Sequence, residues 1–337
     1  MSCGGHFSKE AIMMTGRERF LRTMGYRPCD RPPLWDEGIR EDVLDAWGRQ
    51  GGAAPESLLD EYRYDGRRMV DVNLNPVPKF EAGERDNAFS ELRRRYRPCA
   101  SERFPQDWEE RVRAWSNREE PLGMVVSRGV FLSQGVGDWR SLERLLFAMA
   151  DAPSEVESVQ EAATALSLWA LERVCAEVTL DFAVFSEPIA SFHAPVISPA
   201  YYRRFAMPYY RRAVDRLRAA DVNVVVLQAF GNVNPFIPLF LEVGMNALWC
   251  SHTRPAGMDY AAIRRRYGKD LRLIGGIDAV ALAKGRPAID RALENTVAPL
   301  LESGGYLPLL DDRVRPDVPY EAYRYYRTQL EKRVLGD

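Results

Sequence analysis

The chain has 337 residues, enough to bury a large core as one barrel with insertions or as two smaller domains. Its 46 basic and 48 acidic side chains nearly cancel, so the charge balance calls for neither nucleic acid nor an anionic membrane as partner. No apolar run nears the roughly 18–20 residues of a membrane span. The five cysteines (Cys3, Cys29, Cys99, Cys175, Cys250) are scattered and odd in number, which fits reduced thiols in the cytoplasm better than a disulfide frame or a zinc cluster.

Taken in chain order, residues 1–13 lack the apolar core of a signal peptide and read as a disordered tail, with Met14 as a functional start. Eight short apolar segments follow: Pro33–Trp35, Met69–Asn73, Met124–Ser127, Asp181–Phe185, Asn223–Gln228, Asn246–Cys250, Leu271–Gly275 and Tyr306–Leu310. Helical patterns separate most of them, clearest over Arg40–Arg49, Ser154–Ala176, Ala200–Ala219, Asn234–Leu241, Asp259–Tyr267, Arg286–Glu302 and Tyr320–Val334. Ser198-Pro199 supplies an N-cap followed by proline at the first helical position, and Asp259 opens the helix that ends at Tyr267-Gly268.

This alternation predicts an α/β protein with a parallel sheet, and eight repeats favour closure into a single (β/α)8 TIM barrel over residues 14–337. An open doubly wound sheet is the alternative, weakened because no G-x-G-x-x-G opens the first helix. One stretch, about residues 75–120, breaks the rhythm with charge, aromatics and prolines, Arg93-Arg94-Arg95-Tyr96 among them. It reads as an insertion between the second and third strands, a hairpin plus a short helix lying over one end of the barrel. Its arginine run either binds an anion or forms a solvated edge.

Several strand ends finish in glycine and an acid. Gly257-Met258-Asp259, Gly275-Gly276-Ile277-Asp278 and Gly304-Gly305-Tyr306 with Asp311-Asp312 are the examples. Glycines there let backbone approach a ligand closely. Together with Thr15-Gly16-Arg17-Glu18-Arg19-Phe20, Asp30-Arg31-Pro32-Pro33, Ile197-Ser198-Pro199, Gly231-Asn232-Val233 and Pro316-Asp317-Val318, in that order, the chain resembles the uroporphyrinogen decarboxylase superfamily, which includes the corrinoid-linked methyltransferases. The resemblance covers nearly the whole chain and is densest over residues 181–330.

The resemblance implies a (β/α)8 barrel and lyase-type, decarboxylase-like chemistry on a small carboxylated or methoxylated compound, with no cofactor and with a homodimer as the family assembly. Where the family's porphyrin-metabolising decarboxylases carry R-Q-A-G-R-Y, this chain has Trp35-Asp36-Glu37-Gly38, which repels a polycarboxylate. The authentic heme-pathway reaction is therefore not expected. Where family methyltransferases carry H-x-C as zinc ligands, it has Gln228 and Phe230, so no metal site is expected. A further subfamily with E-D, D-S-D-G-N and D-H is closer. Its positions match Glu187-Pro188, Gln228-Ala229-Phe230-Gly231-Asn232 and Asp311-Asp312, with half the polar groups gone. Methyl transfer with a corrinoid protein as partner, and a catalytically silent ligand-binding barrel, remain the two alternatives.

In such barrels the working groups sit at the C-terminal ends of the strands. That rule gathers Asp36, Arg128, Glu187, Gln228, Asp278 and the pair Asp311/Asp312 at one mouth. Glu187, Asp278 and Asp312 are the catalytic candidates. Glu187 either acts as acid or base at a partly dry rim or caps a turn. Asp278 either faces the ligand or caps the helix from Val280. Asp312, in place of the family's histidine, is the inward one of two adjacent acids. Asp36, Arg128, Gln228, Phe230 and Asp311 are candidates for substrate binding. Arg128 either clamps a carboxylate or pairs internally with Glu187 or Asp312. His193 and His252 lack partners at metal-ligand spacing and read as structural or surface residues ahead of catalytic ones, and Cys250 beside His252 reads as a buried free thiol ahead of a thiolate pair.

Overall fold

The structure, a computed structural model, describes residues 14–51, 61–78 and 89–336. The expected tail at 1–13 and part of the insertion lie outside these residues. Seven parallel strands run β1 (Arg68–Val70), β2 (Leu122–Ser127), β3 (Phe182–Glu187), β4 (Val225–Phe230), β5 (Ala247–Ser251), β6 (Arg272–Gly275) and β7 (Tyr306–Leu307). They stand in sequential order, each hydrogen-bonded to the next, and curl into an open half-barrel. Helices connect them, as a parallel sheet requires.

The eighth expected segment, Pro33–Trp35, is buried but joins no ladder. The reason is chemical. Pro32 and Pro33 have no N–H, and the Leu34 N–H donates to the Asp65 carboxylate at 2.8 Å instead of to a strand. The same carboxylate holds Arg19 at 3.0 Å and Arg31 at 2.5 Å, while Arg19 also grips Asp30. The Arg-Glu-Arg-Phe and Asp-Arg-Pro-Pro motifs are thus a structural clamp that fixes the helix Gly16–Met24 and the buried segment to each other.

From β2 to β7 the strands are largely buried on both faces, whereas β1 exposes Arg68 and Met69, and the alternation separates two cores. One face (Leu122, Phe185, Leu227, Leu248, Leu273) packs on the helices. The other faces the inside of the curl, where Val125, Val184, Val226 and Ala247 lie opposite one another in register. Above that layer come Ser186, Gln228, Trp249, Ile274 and Leu307. Four rings fill the centre. Trp35 stacks on Phe20 at 5.3 Å and touches Phe182 at 5.8 Å and Trp249 at 6.2 Å.

Helix boundaries follow local chemistry. Thr15 and Glu18 form a capping box, Ser198 accepts from the Tyr201 N–H, and Asp259 accepts from the Ala261 and Ala262 N–H groups. The span Ala200–Ala219 is two helices, Pro199–Phe205 and Met207–Ala219, because Pro208 offers no N–H to continue the ladder. The insertion differs from expectation. Its described residues form three helices, Phe89–Arg94, Ala100–Arg103 and Trp108–Ser116, and no hairpin. They pack on the flank of the helix Pro153–Glu177 through Trp108 to Glu177 at 2.6 Å and Phe104 against Trp169. Arg94 and Arg95 both pair with Glu91.

Candidate active site

The C-terminal ends of β5, β6 and β7 meet at the buried Asp311. Its carboxylate accepts from the Thr253 N–H at 2.8 Å, the Thr253 hydroxyl at 2.6 Å and the Ala279 N–H at 3.0 Å. Burial pushes this carboxyl up, and the three donors oppose the rise. Asp311 therefore ties the loops after β5 and β6 to its own strand end and also borders the pocket described next.

The adjacent Asp312 is less buried and makes different contacts. One oxygen lies 3.0 Å from His252 Nε2 and 3.0 Å from an Arg315 nitrogen. His252 adopts a left-handed backbone (φ 53°), and its N–H donates to the Asp311 carbonyl. That turn parts it from Cys250, whose thiol remains buried among the helix-side residues and donates to the Gly231 carbonyl. A pocket of about 80 Å³ opens beside this group, lined by His252, Asp278, Asp312, Arg313, Arg315 and Asp317 among others. Phe230 and Phe192 wall off the imidazole, with ring centroids 4.8 and 5.6 Å from it.

A second polar group stands over the aromatic centre. Arg67 lies 5.0 Å from the ring centroids of both Trp35 and Trp249, donates to the Asp36 carbonyl at 2.8 Å and pairs with Glu37 at 3.8 Å. Burial pushes the Glu37 carboxyl up. The charges of Arg67 and then Arg313 pull it back, so both clusters act on one another.

The remaining sequence candidates fall in different places. Asp278 lines the pocket, but one of its oxygens accepts from the Val280 N–H at 3.0 Å, the capping role. Gln228 and Phe230 lie on the inner face of β4. Asp36 is engaged by the Gly38 N–H at 2.9 Å and the Tyr323 hydroxyl at 2.8 Å and serves the C-terminal helix. Arg128 starts the short helix Gly129–Ser133, lines a crevice with Gln160 and Tyr210, and pairs with neither Glu187 nor Asp312 among the described residues.

Glu187 is not brought to the mouth. It falls on the helix-side face of β3, in phase with Ala183 and Phe185, and is fully buried. Its carboxylate accepts from the Tyr210 hydroxyl at 2.5 Å and the Val130 N–H at 3.1 Å. Burial raises its pKa to about 7 against those two donors. Sequence reasoning placed the residue at the right strand end but on the wrong face.

His252, Arg313, Arg315, Glu37 and Arg67 received no site role from sequence. Local spacing gives His252 no partner, because Asp312 stands after a different strand. Among the described residues no group of three or more His, Cys, Asp or Glu side chains is placed to hold a metal ion, and no helix is long and apolar enough to cross a membrane.

Comparison with known proteins agrees with this architecture. The uroporphyrinogen decarboxylase (URO-D) family model matches residues 137–328, more than half of the chain. The uroporphyrinogen decarboxylase of Legionella pneumophila strain Paris is 26% identical over 126 residues, 37% of this chain and 35% of that protein. Those of strains Corby and Lens match over the same length at 26% and 25% identity. The matched stretch thus spans about a third of the length of these curated relatives. The chain belongs to the uroporphyrinogen decarboxylase family.

Proposed function

We propose that the chain is a lyase-type enzyme that decarboxylates a small carboxylated compound at the C-terminal mouth of its sheet. In this reading Pro33–Trp35 stands as the eighth stave of a TIM barrel. The observation that carries the proposal is the His252–Asp312–Arg315 cluster facing the pocket beside Arg313. Arg313 and Arg315 offer guanidinium groups to a substrate carboxylate. Cleavage of the bond to that carboxylate releases CO₂ and leaves an electron pair on carbon. His252, held by Asp312, delivers the proton to that carbon. Gln228 and Phe230 shape the inner wall, and Asp278 borders the pocket through its capping turn. Asp36, Asp311, Arg128 and Glu187 support the surrounding loops and helices.

The pocket volume of about 80 Å³ falls well below the roughly 300–1,000 Å³ of sites that enclose drug-sized ligands. A compact acid suits it, and a tetrapyrrole does not. Purified protein should leave uroporphyrinogen III unchanged and release CO₂ from one or more members of a panel of small carboxylic acids. His252→Gln should lower kcat on that acid by about 10²–10⁴. Formation of coproporphyrinogen, or undiminished turnover by the variant, would overturn the proposal.

A further inference from the structure

The opposite end of the sheet holds a second, larger cavity of about 380 Å³. It is lined by Tyr26 and Arg27 just after the helix Gly16–Met24, by Lys269 ahead of β6, and by Glu302, Gly305 and Tyr306 at the entry to β7. These are N-terminal strand ends, so the cavity is separate from the mouth.

Its chemistry centres on Tyr26, which adopts a left-handed backbone (φ 51°) and slides its ring against Gly305. A Cβ built on Gly305 would stand 2.3 Å from that ring, so only glycine admits it. Three cations surround the ring. Arg264, Lys269 and Arg272 lie 5.6, 5.4 and 5.3 Å from its centroid, and Arg264 donates to the Tyr26 hydroxyl at 2.6 Å.

Among the described residues none of Arg27, Arg264, Lys269 and Arg272 forms an ion pair with a carboxylate, and the nearest bond of Arg27 is to the Leu21 carbonyl at 3.5 Å. Arg264 and Arg272 are satisfied by backbone carbonyls of Gly268, Gly305 and Met24. Burial pulls Arg272 below its usual value; Tyr26 opposes the fall, Arg264 adds to it, and Asp270 opposes it. Arg27 and Lys269 are exposed at the rim with their charges uncommitted to any acid. Glu302 is the one acid in the cavity lining. Clustered like charges of this kind destabilise the fold unless an anion joins them.

We propose that this cavity is a binding site for a small phosphate-type anion, with Arg27 and Lys269 as the contacting cations and Arg264 and Arg272 supplying potential from behind Tyr26. Titration calorimetry at low ionic strength tests it, with inorganic phosphate, pyrophosphate and a sugar phosphate as separate probes. All three should bind to the native protein. The tighter of inorganic phosphate and sugar phosphate tells whether the natural ligand is the free ion or a phosphorylated metabolite whose organic part fills the cavity. Arg27→Ala/Lys269→Ala, which changes only exposed side chains, should weaken binding about tenfold or more. Arg315→Ala at the mouth should leave it unchanged. Absence of heat with every probe, equal affinity in the double variant, or loss of binding in Arg315→Ala would each overturn the assignment. None of these results depends on turnover at the mouth.

Discussion

Replacing Glu187 by glutamine isolates one buried charge without changing its shape. The glutamine amide keeps an oxygen for the Val130 N–H and reaches the Tyr210 hydroxyl, so the contacts at 3.1 and 2.5 Å have substitutes. What disappears is the titration. Burial lifts the carboxyl from its ordinary 4.5 to about 7, more than the two donors lower it. A difference of that size corresponds to about 3 kcal/mol. Because the folded pKa lies above the unfolded one, the folded state holds the proton more tightly. The stabilisation is therefore complete below about pH 4.5 and is lost as pH rises to about 7, beyond which it stays lost. Urea unfolding of both proteins, measured at intervals from about pH 4.5 to about pH 8, compares them directly. The native protein should lose about 3 kcal/mol relative to Glu187→Gln across that window, so the variant is the more stable protein under alkaline conditions. A stability difference that stays flat with pH, or that moves in favour of the native protein as pH rises, would refute the reasoning.

Further outcomes follow from the same geometry. Gly129→Ala should cost about 2–4 kcal/mol in urea unfolding: Gly129 sits at φ 82°, and a Cβ there would stand 2.5 Å from the Ser186 carbonyl oxygen. Asp311→Ala strips the acceptor from the Thr253 and Ala279 donors. A loss of about 2–4 kcal/mol is expected, against under about 1 kcal/mol if those donors simply turn to water. Arg67→Met takes a cation from between two indole rings and leaves Glu37 without its paired guanidinium. It should destabilise by about 1–2 kcal/mol and alter tryptophan emission, and an unchanged spectrum would show that the rings do not sense the charge.

The strands were legible because each apolar run is short and separated from the next by a helical pattern or a turn, so seven of the eight segments reappear within a few residues of their expected ends. The one that failed to join a ladder, Pro33–Trp35, begins with a proline and has its Leu34 N–H taken by an acid about thirty residues away. Facing was the other limit. Asp311 and Asp312 lie in a bend beyond β7 and both border the pocket, so strand alternation does not tell them apart. Glu187 could be oriented only by knowing which of Val184 and Phe185 meets the helices, and both are equally apolar. His252 escaped notice for a related reason: its left-handed turn and its contact with Asp312 arise from the meeting of β5 and β7, which are not neighbours in sequence.

The stack of Phe20, Trp35, Phe182 and Trp249 fills the inside of the curl midway between the two ends. Such a dense bung stands between the pocket at one end and the larger cavity at the other. Each opening is then free to change its chemistry over evolutionary time without disturbing the other. The indoles at the bung also give both halves a shared optical reporter, Trp249 standing on β5 and Trp35 stacked on Phe20 of the helix Gly16–Met24.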